Sequence, residues 1–314
     1  MSLAIGVDLG GTKIAAGVVN ETGQVVDQIT SPTPKDTTAS VVNELAVTIK
    51  KLADKHSVKD VCVAAPGFVD ADRTEVLFTA NLPMRNVKLK TELETITGLN
   101  VVIENDANAA AWAEYKYGTA KGAKNAVMLT VGTGLGGGLV LNGKLIRGSY
   151  GVAAEVGHMN LVADGLSCGC GLSGCWEQYA SGSALLRTAR KLAQENRDAA
   201  EILLSFGDRT PEGVEGVHIS QAAESGCPVA LSAFAELGAA LGRGMASLAA
   251  LLDPEIFVIG GGVSVSSKFF MPACEETFGK LLTARLYRPL AKIALAQMGN
   301  DAGLIGAADL ARGE

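Results

Sequence analysis

The sequence predicts an α/β protein built as two related lobes, and three observations carry that prediction. Hydrophobic residues in the first third of the chain alternate between short strand-like runs and helical spacing. An order of strand, glycine loop, strand and turn stands near residue 10 and returns near residue 134. The length of 314 residues exceeds what one core holds and suits two domains. Glycine is over-used, at 38 residues, and each one costs backbone entropy on ordering, so the excess asks for local explanations.

The elements follow in chain order. Leu3–Leu9 and Ile14–Val19 are β-prone runs flanking Gly10-Gly11-Thr12, and Asn20–Gly23 reads as a turn. Asp36–His56 spaces Val41, Val42, Leu45, Ile49 and Leu52 along one helical face, with Lys50, Lys51 and Lys55 opposite. Val58–Ala65 is an apolar strand stopped by Pro66-Gly67. Lys88–Thr97 reads as helix, Leu99–Glu104 as strand and Ala107–Tyr117 as helix. The opening pattern then recurs: strand Ala126–Val131, glycine loop Gly132–Gly138, strand Gly138–Leu141 and an Asn142-Gly143 hairpin turn. A Cys-rich loop, a helix from about Glu177 to Asn196 and a long apolar helix Val229–Leu252 come next. Strand Glu255–Ile259 runs into Gly260-Gly261-Gly262, and after Lys292–Gln297 the chain closes with helix Ala302–Arg312. The expected division is a smaller lobe over 1–118, a larger one over 119–300 and a terminal helix within 301–314, with the boundary near 118–122.

Charge and composition remove several function classes. A net charge of −6 and a pI near 5.3 argue against nucleic-acid binding, which needs a basic face. The start, MSLAIGVDLG, has no basic region followed by an apolar run, so no secretory signal is expected. Glu236 and Arg243 interrupt Val229–Leu252, so no membrane span is expected either. Six cysteines in a chain of this length do not suggest a disulfide framework. The expectation is a cytoplasmic protein with reduced thiols, in which Cys62, Cys227 and Cys274 lie in apolar cores and His56 and His218 at the surface.

Three glycine loops follow strands: Asp8-Leu9-Gly10-Gly11-Thr12-Lys13; the run Gly132, Thr133, Gly134, Leu135, Gly136, Gly137, Gly138; and Gly260–Gly262. Glycine lets the backbone approach a ligand and turns successive N–H groups toward an anion. Gly132, Gly134 and Gly137 match a dinucleotide fingerprint, but GLVLNGKLIRG continues as strand and hairpin where that reading needs a helix. No P-loop motif is present. Hairpins that hold polyphosphate remain, with hydroxyl donors on Thr12 and Thr133 and with Asp8 facing a phosphate-bound Mg²⁺. Tight turns without a ligand are the plainer alternative for any one loop.

The stretch HMNLVADGLSCGCGLSGCWE gathers His158, Cys168, Cys170 and Cys175 in a chain with three histidines and six cysteines. Imidazole and thiolate suit tetrahedral Zn²⁺, and four of them leave no position for a catalytic water, so the expected ion is structural. Glu155 and Glu177 bracket the cluster, and folding the loop fixes both. Asn105 and Asp106 stand in ENDAN, where a strand gives way to a helix. Helix capping alone explains them locally. The alternative is a catalytic role, since an ionised Asp can orient a hydroxyl and take its proton during phosphoryl transfer. Polyphosphate loops beside a fixed set of Asn, Asp, Glu and His point to polyol phosphorylation.

At these residues the sequence resembles the repressor/open-reading-frame/kinase (ROK) family, and within it the bacterial glucokinases. The likeness runs almost the full length: DLGGTKI at 8–14, APGFVD at 65–70, NLP at 81–83, ENDANAA at 104–110, GTGLGGGLVLNG at 132–143, and E-x-G-H … C-x-C-G-x-x-G-C-W-E-x-x-A-S-G from Glu155 to Gly182. Ala154 departs from a family pattern that commonly has Gly there. The resemblance implies an actin/hexokinase-like (ribonuclease H-like) duplicated fold whose two lobes close an active-site cleft over ATP-Mg and sugar. It implies Asp106 as the base at the glucose 6-hydroxyl, with Gly67, Asn81, Asn105, Glu155, His158 and Glu177 contacting sugar. His158 then serves twice, with one ring nitrogen on zinc and the other toward sugar. ATP contacts fall on Asp8, Gly10, Gly11, Thr12, Lys13, Gly132, Thr133, Gly134, Gly136, Gly137, Gly260, Gly261 and Gly262. A terminal helix packed on the first lobe and a homodimer or homotetramer are further implications. N-acetylhexosamine, mannose or fructose kinases of the family, and a non-catalytic sugar-binding regulator, are the alternatives. A repressor is disfavoured, because a first strand beginning by Leu3 leaves no room for a helix-turn-helix.

Overall fold

The computed structural model describes residues 2–313. Strands β1 (Ala4–Leu9), β2 (Lys13–Val19) and β3 (Val25–Pro32) run as an antiparallel meander, and β4 (Asp60–Ala65) and β8 (Asn100–Asn105) extend it in parallel, giving the order β3-β2-β1-β4-β8. Between them stand α1 (Thr38–His56), the three-stranded β5 (Phe68–Val69), β6 (Val76–Phe78) and β7 (Arg85–Val87), and α2 (Leu89–Thr97). After α3 (Asp106–Lys116), strands β9 (Ala126–Val131), β10 (Leu135–Leu141) and β11 (Lys144–Leu145) begin a second sheet. It is completed by β12 (Ile256–Gly260) and β13 (Lys292–Leu295) in the order β11-β10-β9-β12-β13. Ranked by position in the chain, both five-stranded sheets share the permutation 3-2-1-4-5. That shared order is the duplication that the repeated glycine hairpins announce.

The remaining helices are α4 (Gly182–Glu195), α5 (Glu201–Ser205), α6 (Gly216–Glu224), α7 (Pro228–Leu252), α8 (Ser267–Leu281) and α9 (Ala302–Ala311). The expected helix from about Glu177 begins only at Gly182. Trp176–Gln178 is a 3-10 turn, and Ser181 caps α4 by accepting the Ala184 N–H. The sequence reading left out β3 and α8. β3 alternates half-buried and exposed residues at a sheet edge, and α8 carries Pro272 in its interior, a residue that reads as a helix stop. By length and hydropathy alone α7 is apolar enough to cross a bilayer, a test that the core helix of a globular protein also meets. Here its buried face packs on α8 and α4. Glycines make that contact close: a Cβ at Gly238 would stand 2.1 Å from the Phe270 carbonyl oxygen, and one at Gly242 2.3 Å from that of Cys274.

The chain divides into two units. The first takes the residues up to Met128, then Gly137–Ala154 and the residues from Ala296 on; the second takes Leu129–Gly136 and Glu155–Leu295. In the first, α1 is set by a reciprocal Thr37–Ser40 capping box and buries Val41, Val42, Leu45, Ile49 and Leu52 on the side that meets β1, β2 and β3. α9 lies against β1 and α3. A Cβ at Gly6 would come within 1.9 Å of the Leu304 carbonyl oxygen, and one at Gly306 within 1.8 Å of that of Ala109. Asp309 accepts the Trp112 indole N–H at 2.8 Å. Glu114, fully buried on α3, accepts the N–H groups of Gln297 and Met298, both at 2.7 Å, and of Thr119 at 2.8 Å. Cys62, Cys227 and Cys274 are fully buried, as expected. His56 and His218, expected at the surface, are half-buried instead. His56 Nε2 contacts Asp27 at 2.7 Å, and His218 Nδ1 accepts the Glu215 N–H at the start of α6.

Candidate active site

The predicted residues fall into two groups, one in each unit. In the first unit β8 ends at Asn105 and α3 begins at Asp106. Asn105 caps the helix by accepting the Asn108 N–H at 3.0 Å, while its Nδ2 donates to the Gly67 carbonyl at 3.0 Å and to Asp106 Oδ1 at 3.2 Å. Asp106 Oδ1 also accepts the N–H of Ala107 at 2.8 Å. The carboxylate is therefore held from two sides at a helix N-terminus, where the positive end of the helix favours its ionised form. Gly67 takes φ +85°, and a Cβ there would meet the Phe78 carbonyl oxygen at 2.1 Å, so no side chain fits the turn that offers its carbonyl to Asn105. Capping and positioning are the same set of bonds here.

Behind this edge lies a cluster that the sequence reading missed. Glu104 is 2% exposed. Its Oε2 receives Arg147 Nε at 2.7 Å and lies 3.4 Å from Arg73 Nε. Its Oε1 receives the Asn105 N–H at 3.0 Å and Asn108 Nδ2 at 3.1 Å. The available signal was a carboxylate near the end of a largely apolar strand, where burial demands a cation. Nothing in the spacing said which arginines answer it.

The first glycine loop is the β1–β2 turn: the Gly10 N–H donates to the Lys13 carbonyl at 3.0 Å, and Thr33 Oγ1 donates to the Gly10 carbonyl at 2.7 Å. Asn81 stands beside it, 3.9 Å from where a Gly11 Cβ would be. Asp8 ends up next to the first turn of α9, with its carboxylate carbon 3.2 Å from where a Gly303 Cβ would be. Burial pushes its carboxyl above the usual range, opposed by the charge of Lys13. A half-buried carboxylate at the mouth of a glycine hairpin suits a hard cation held with phosphate.

In the second unit, the other two glycine loops meet. Gly261, at φ +86°, lies so close to Val131 that a Cβ would come within 2.5 Å of its carbonyl oxygen. The Gly182 and Ser183 N–H groups at the start of α4 donate to the carbonyls of Gly132 and Thr133 at 2.7 and 3.3 Å. β10 begins at Leu135, inside the glycine loop, which confirms that no helix follows it. Gly137 belongs to the first unit. A cavity of about 360 Å³ opens from Ser183 along α4, lined also by Arg187, Arg190, Lys191, Pro211 and Glu212.

The Cys-rich loop folds as a small hairpin, with bridges Asn160–Cys175 and Ser167–Ser173. Gly174, at φ +76°, donates to the Leu166 carbonyl and accepts no substitute, since a Cβ would lie 1.8 Å from the Val162 carbonyl oxygen. The result brings His158, Cys168, Cys170 and Cys175 together, with their donor atoms all within 4.8 Å of one another. Cys170 Sγ and Cys175 Sγ are 3.6 Å apart, as are Cys168 Sγ and His158 Nδ1. Bond lengths of ~2.3 Å to sulfur and ~2.0 Å to nitrogen give tetrahedral edges of about 3.8 and about 3.5 Å, so the donor set fits a zinc ion. As free thiols the buried members resist ionisation: burial pushes Cys175 up to about 12 and raises Cys168. The backbone N–H of Leu172 lowers Cys170.

Glu155 and Glu177 flank the same histidine. Glu155 Oε2 is 3.9 Å from His158 Nε2, and Glu177 Oε1 is 4.0 Å from His158 Nδ1 and 3.3 Å from Cys168 Sγ. Nδ1 thus faces the Cys168 sulfur and Nε2 faces Glu155. Burial raises the Glu155 carboxyl, against the charge of His158 and with that of Glu177. Glu177 also reaches the second glycine loop, where its Oε2 accepts the Leu135 N–H at 3.5 Å. Between Cys175 and Glu177, Trp176 is fully buried and donates its indole N–H to the Ala240 carbonyl of α7 at 2.8 Å.

The ROK family model matches residues 4–314. A glucokinase of Streptomyces coelicolor is 49% identical over 99% of this chain and 98% of its own length. The crystal structure of a ROK family glucokinase from Streptomyces griseus, in complex with glucose and AMPPNP, superposes with a TM-score of 0.88 at 47% identity and covers 100% of both chains. A ROK hexokinase from Thermus thermophilus superposes with a TM-score of 0.81 at 35% identity, over 98% of this chain and 96% of its own. With a duplicated 3-2-1-4-5 sheet order and full-length agreement in sequence and structure, the chain belongs to the ROK family.

Proposed function

We propose that the protein is a glucokinase, which transfers the terminal phosphoryl group of ATP to the 6-hydroxyl of glucose. The observation that carries the reading is Asp106, fixed through one oxygen by the Ala107 N–H and the Asn105 amide at the end of β8, in a chain whose full-length relatives include glucokinases. In the reaction Asp106 orients the 6-hydroxyl and accepts its proton as the bond to phosphorus forms; ADP leaves with the electron pair of the broken P–O bond. Asn105, Glu155, His158 and Glu177 hold the other hydroxyls, with Gly67 and Asn81 shaping the sugar's surroundings. The glycine loops at Gly10–Lys13, Gly132–Gly137 and Gly260–Gly262 receive the phosphates through backbone N–H groups and the hydroxyls of Thr12 and Thr133. The cavity along α4 takes the nucleoside.

Asp8 would hold Mg²⁺ through its phosphate complex, which would supply positive charge beside the transferred group. His158, Cys168, Cys170 and Cys175 would hold a structural zinc that fixes Glu155 and Glu177. Six unpaired cysteines suit a reducing compartment, and we place the protein in the cytoplasm. Exposed Leu251, Leu286 and Tyr287 supply apolar surface for a homodimer or homotetramer.

The test is ADP release measured against a panel of glucose, mannose, fructose and N-acetylhexosamines, with ATP and polyphosphate as donors. Glucose with ATP is expected to give the highest kcat/KM. A higher value for an N-acetylhexosamine moves the assignment to that kinase, and sugar binding without ADP release makes the protein a regulator.

A further inference from the structure

We infer that Glu104 is a positioning residue for the Asn105–Asp106 edge, and that Arg73 and Arg147 clamp it for that purpose. The inference rests on the proposed kinase reading, since it concerns the residue assigned as base. Three separate segments converge on this one carboxylate. The first is the turn after β5, where Asp70 accepts the N–H groups of Thr74 and Glu75, both at 2.7 Å, and the Thr74 hydroxyl at 2.9 Å. That turn presents Arg73, whose own backbone is left-handed at φ 60°. The Arg73 carbonyl accepts the Ile103 N–H at 3.1 Å, and its Nε lies 3.3 Å from the Ile103 carbonyl oxygen. The second segment is the end of β8 itself. The third follows β11 and supplies Arg147 at 2.7 Å.

Burying a carboxylate with two guanidiniums is a poor way to gain stability, because apolar side chains of the same volume often do as well or better. What the cluster does supply is registry. Glu104 Oε1 is the common acceptor for the Asn105 N–H and for Asn108 Nδ2, and Asn108 Oδ1 is buried without a hydrogen-bond partner among the described residues, so the Glu104 contact orients that amide. Asn105 in turn passes the constraint to Asp106 through its Nδ2. The chain of contacts runs from the guanidiniums through Glu104 and Asn105 to the base. A displacement of about 1 Å at a reacting group costs turnover on the order of 100-fold.

The test separates positioning from stability. A triple variant, Glu104→Met with Arg73→Met and Arg147→Met, removes the ions and keeps the volume. It is expected to melt within a few degrees of wild type, to keep the KM for ATP within about two-fold and to lose kcat by about 30-fold or more. A folded triple variant with kcat within about three-fold of wild type overturns the inference. If the triple variant does not fold, Arg147→Lys decides. It keeps the charge and loses the fixed Nε donor, and should lower kcat by about ten-fold without lowering the melting temperature; unchanged kcat overturns the inference. Wild type and Asp106→Asn run alongside. No glucose-dependent ADP from wild type sinks the kinase reading itself, whereas an active wild type, an inactive Asp106→Asn and active clamp variants sink only the role of Glu104.

Discussion

Replacing Asp106 with Asn would remove the proton acceptor and leave its surroundings almost intact. The amide keeps an oxygen where Oδ1 now accepts the Ala107 N–H at 2.8 Å and the Asn105 amide at 3.2 Å. The loss to folding is the charge at a helix N-terminus, about 0.3–1 kcal/mol. In a chain of this size that lowers the melting temperature by only about 1–4 °C. Glucose affinity should fall by no more than about ten-fold, because one charged hydrogen bond becomes a neutral one. Turnover should fall much further. A positioned general base is worth 10²–10⁴-fold, or about 3–5.5 kcal/mol of barrier. The assay is coupled detection of ADP at saturating glucose and ATP, with calorimetric titration of glucose and a thermal melt on the same preparation. A variant that melts like wild type, binds glucose and turns over within about ten-fold of wild type would falsify the assignment of Asp106 as base.

Cys170→Ser should lose zinc, measured by metal analysis, and weaken glucose binding through Glu155 and Glu177; wild-type protein without stoichiometric zinc would remove that coupling. Ala154→Gly should stabilise the protein by about 0.5–1 kcal/mol in denaturant titration, since Ala154 sits at φ 70°, where Cβ costs about 1–2 kcal/mol and glycine's extra unfolded freedom returns part of it. Equal or lower stability would mean that the left-handed backbone there is not strained. Asp27 is held down to about 2 by hydrogen bonds from Lys55 and His56. Its contribution to stability is therefore complete above the ordinary value near 3.8 and lost as pH falls through about 2. Melts of wild type and Asp27→Asn should differ at neutral pH and converge toward pH 2, and a gap that widens in acid would reverse the sign.

What the residues disclosed in advance was what is local. The two hairpins with glycine turns were legible because Gly10–Gly11 and Gly132–Gly138 interrupt β-prone runs at matching places, and the folded sheets repeat one strand order. β3 was not legible, since its Thr, Ser and Gln residues pair only along one edge of the sheet. Glu104 stands inside the ENDANAA motif without a local sign of its pairing, because its partner Arg147 lies 43 positions away. Long-range pairing of a buried charge leaves no periodic trace.

The Cys-rich loop shows the same limit inside a motif whose four donor residues the structure brings together. His and Cys spacing identifies four donors because a tetrahedral ion imposes distances that few loops satisfy, and the 3.6 Å separations agree with it. Spacing does not say what the loop rests on. Trp176 follows the last cysteine, and its ring occupies the place where a Cβ at Gly244 would stand, 2.1 Å from the nearest indole carbon. Gly244 is helical and needs no special φ; its missing side chain gives clearance, and the indole N–H then reaches the Ala240 carbonyl one turn away. A zinc ion there would close the loop on itself, whereas Trp176 attaches the loop to α7 in the second unit. Glu177 would therefore have a support on each side, the ion and its neighbour Trp176, so loss of the ion should weaken its hold while Trp176 stays anchored on α7.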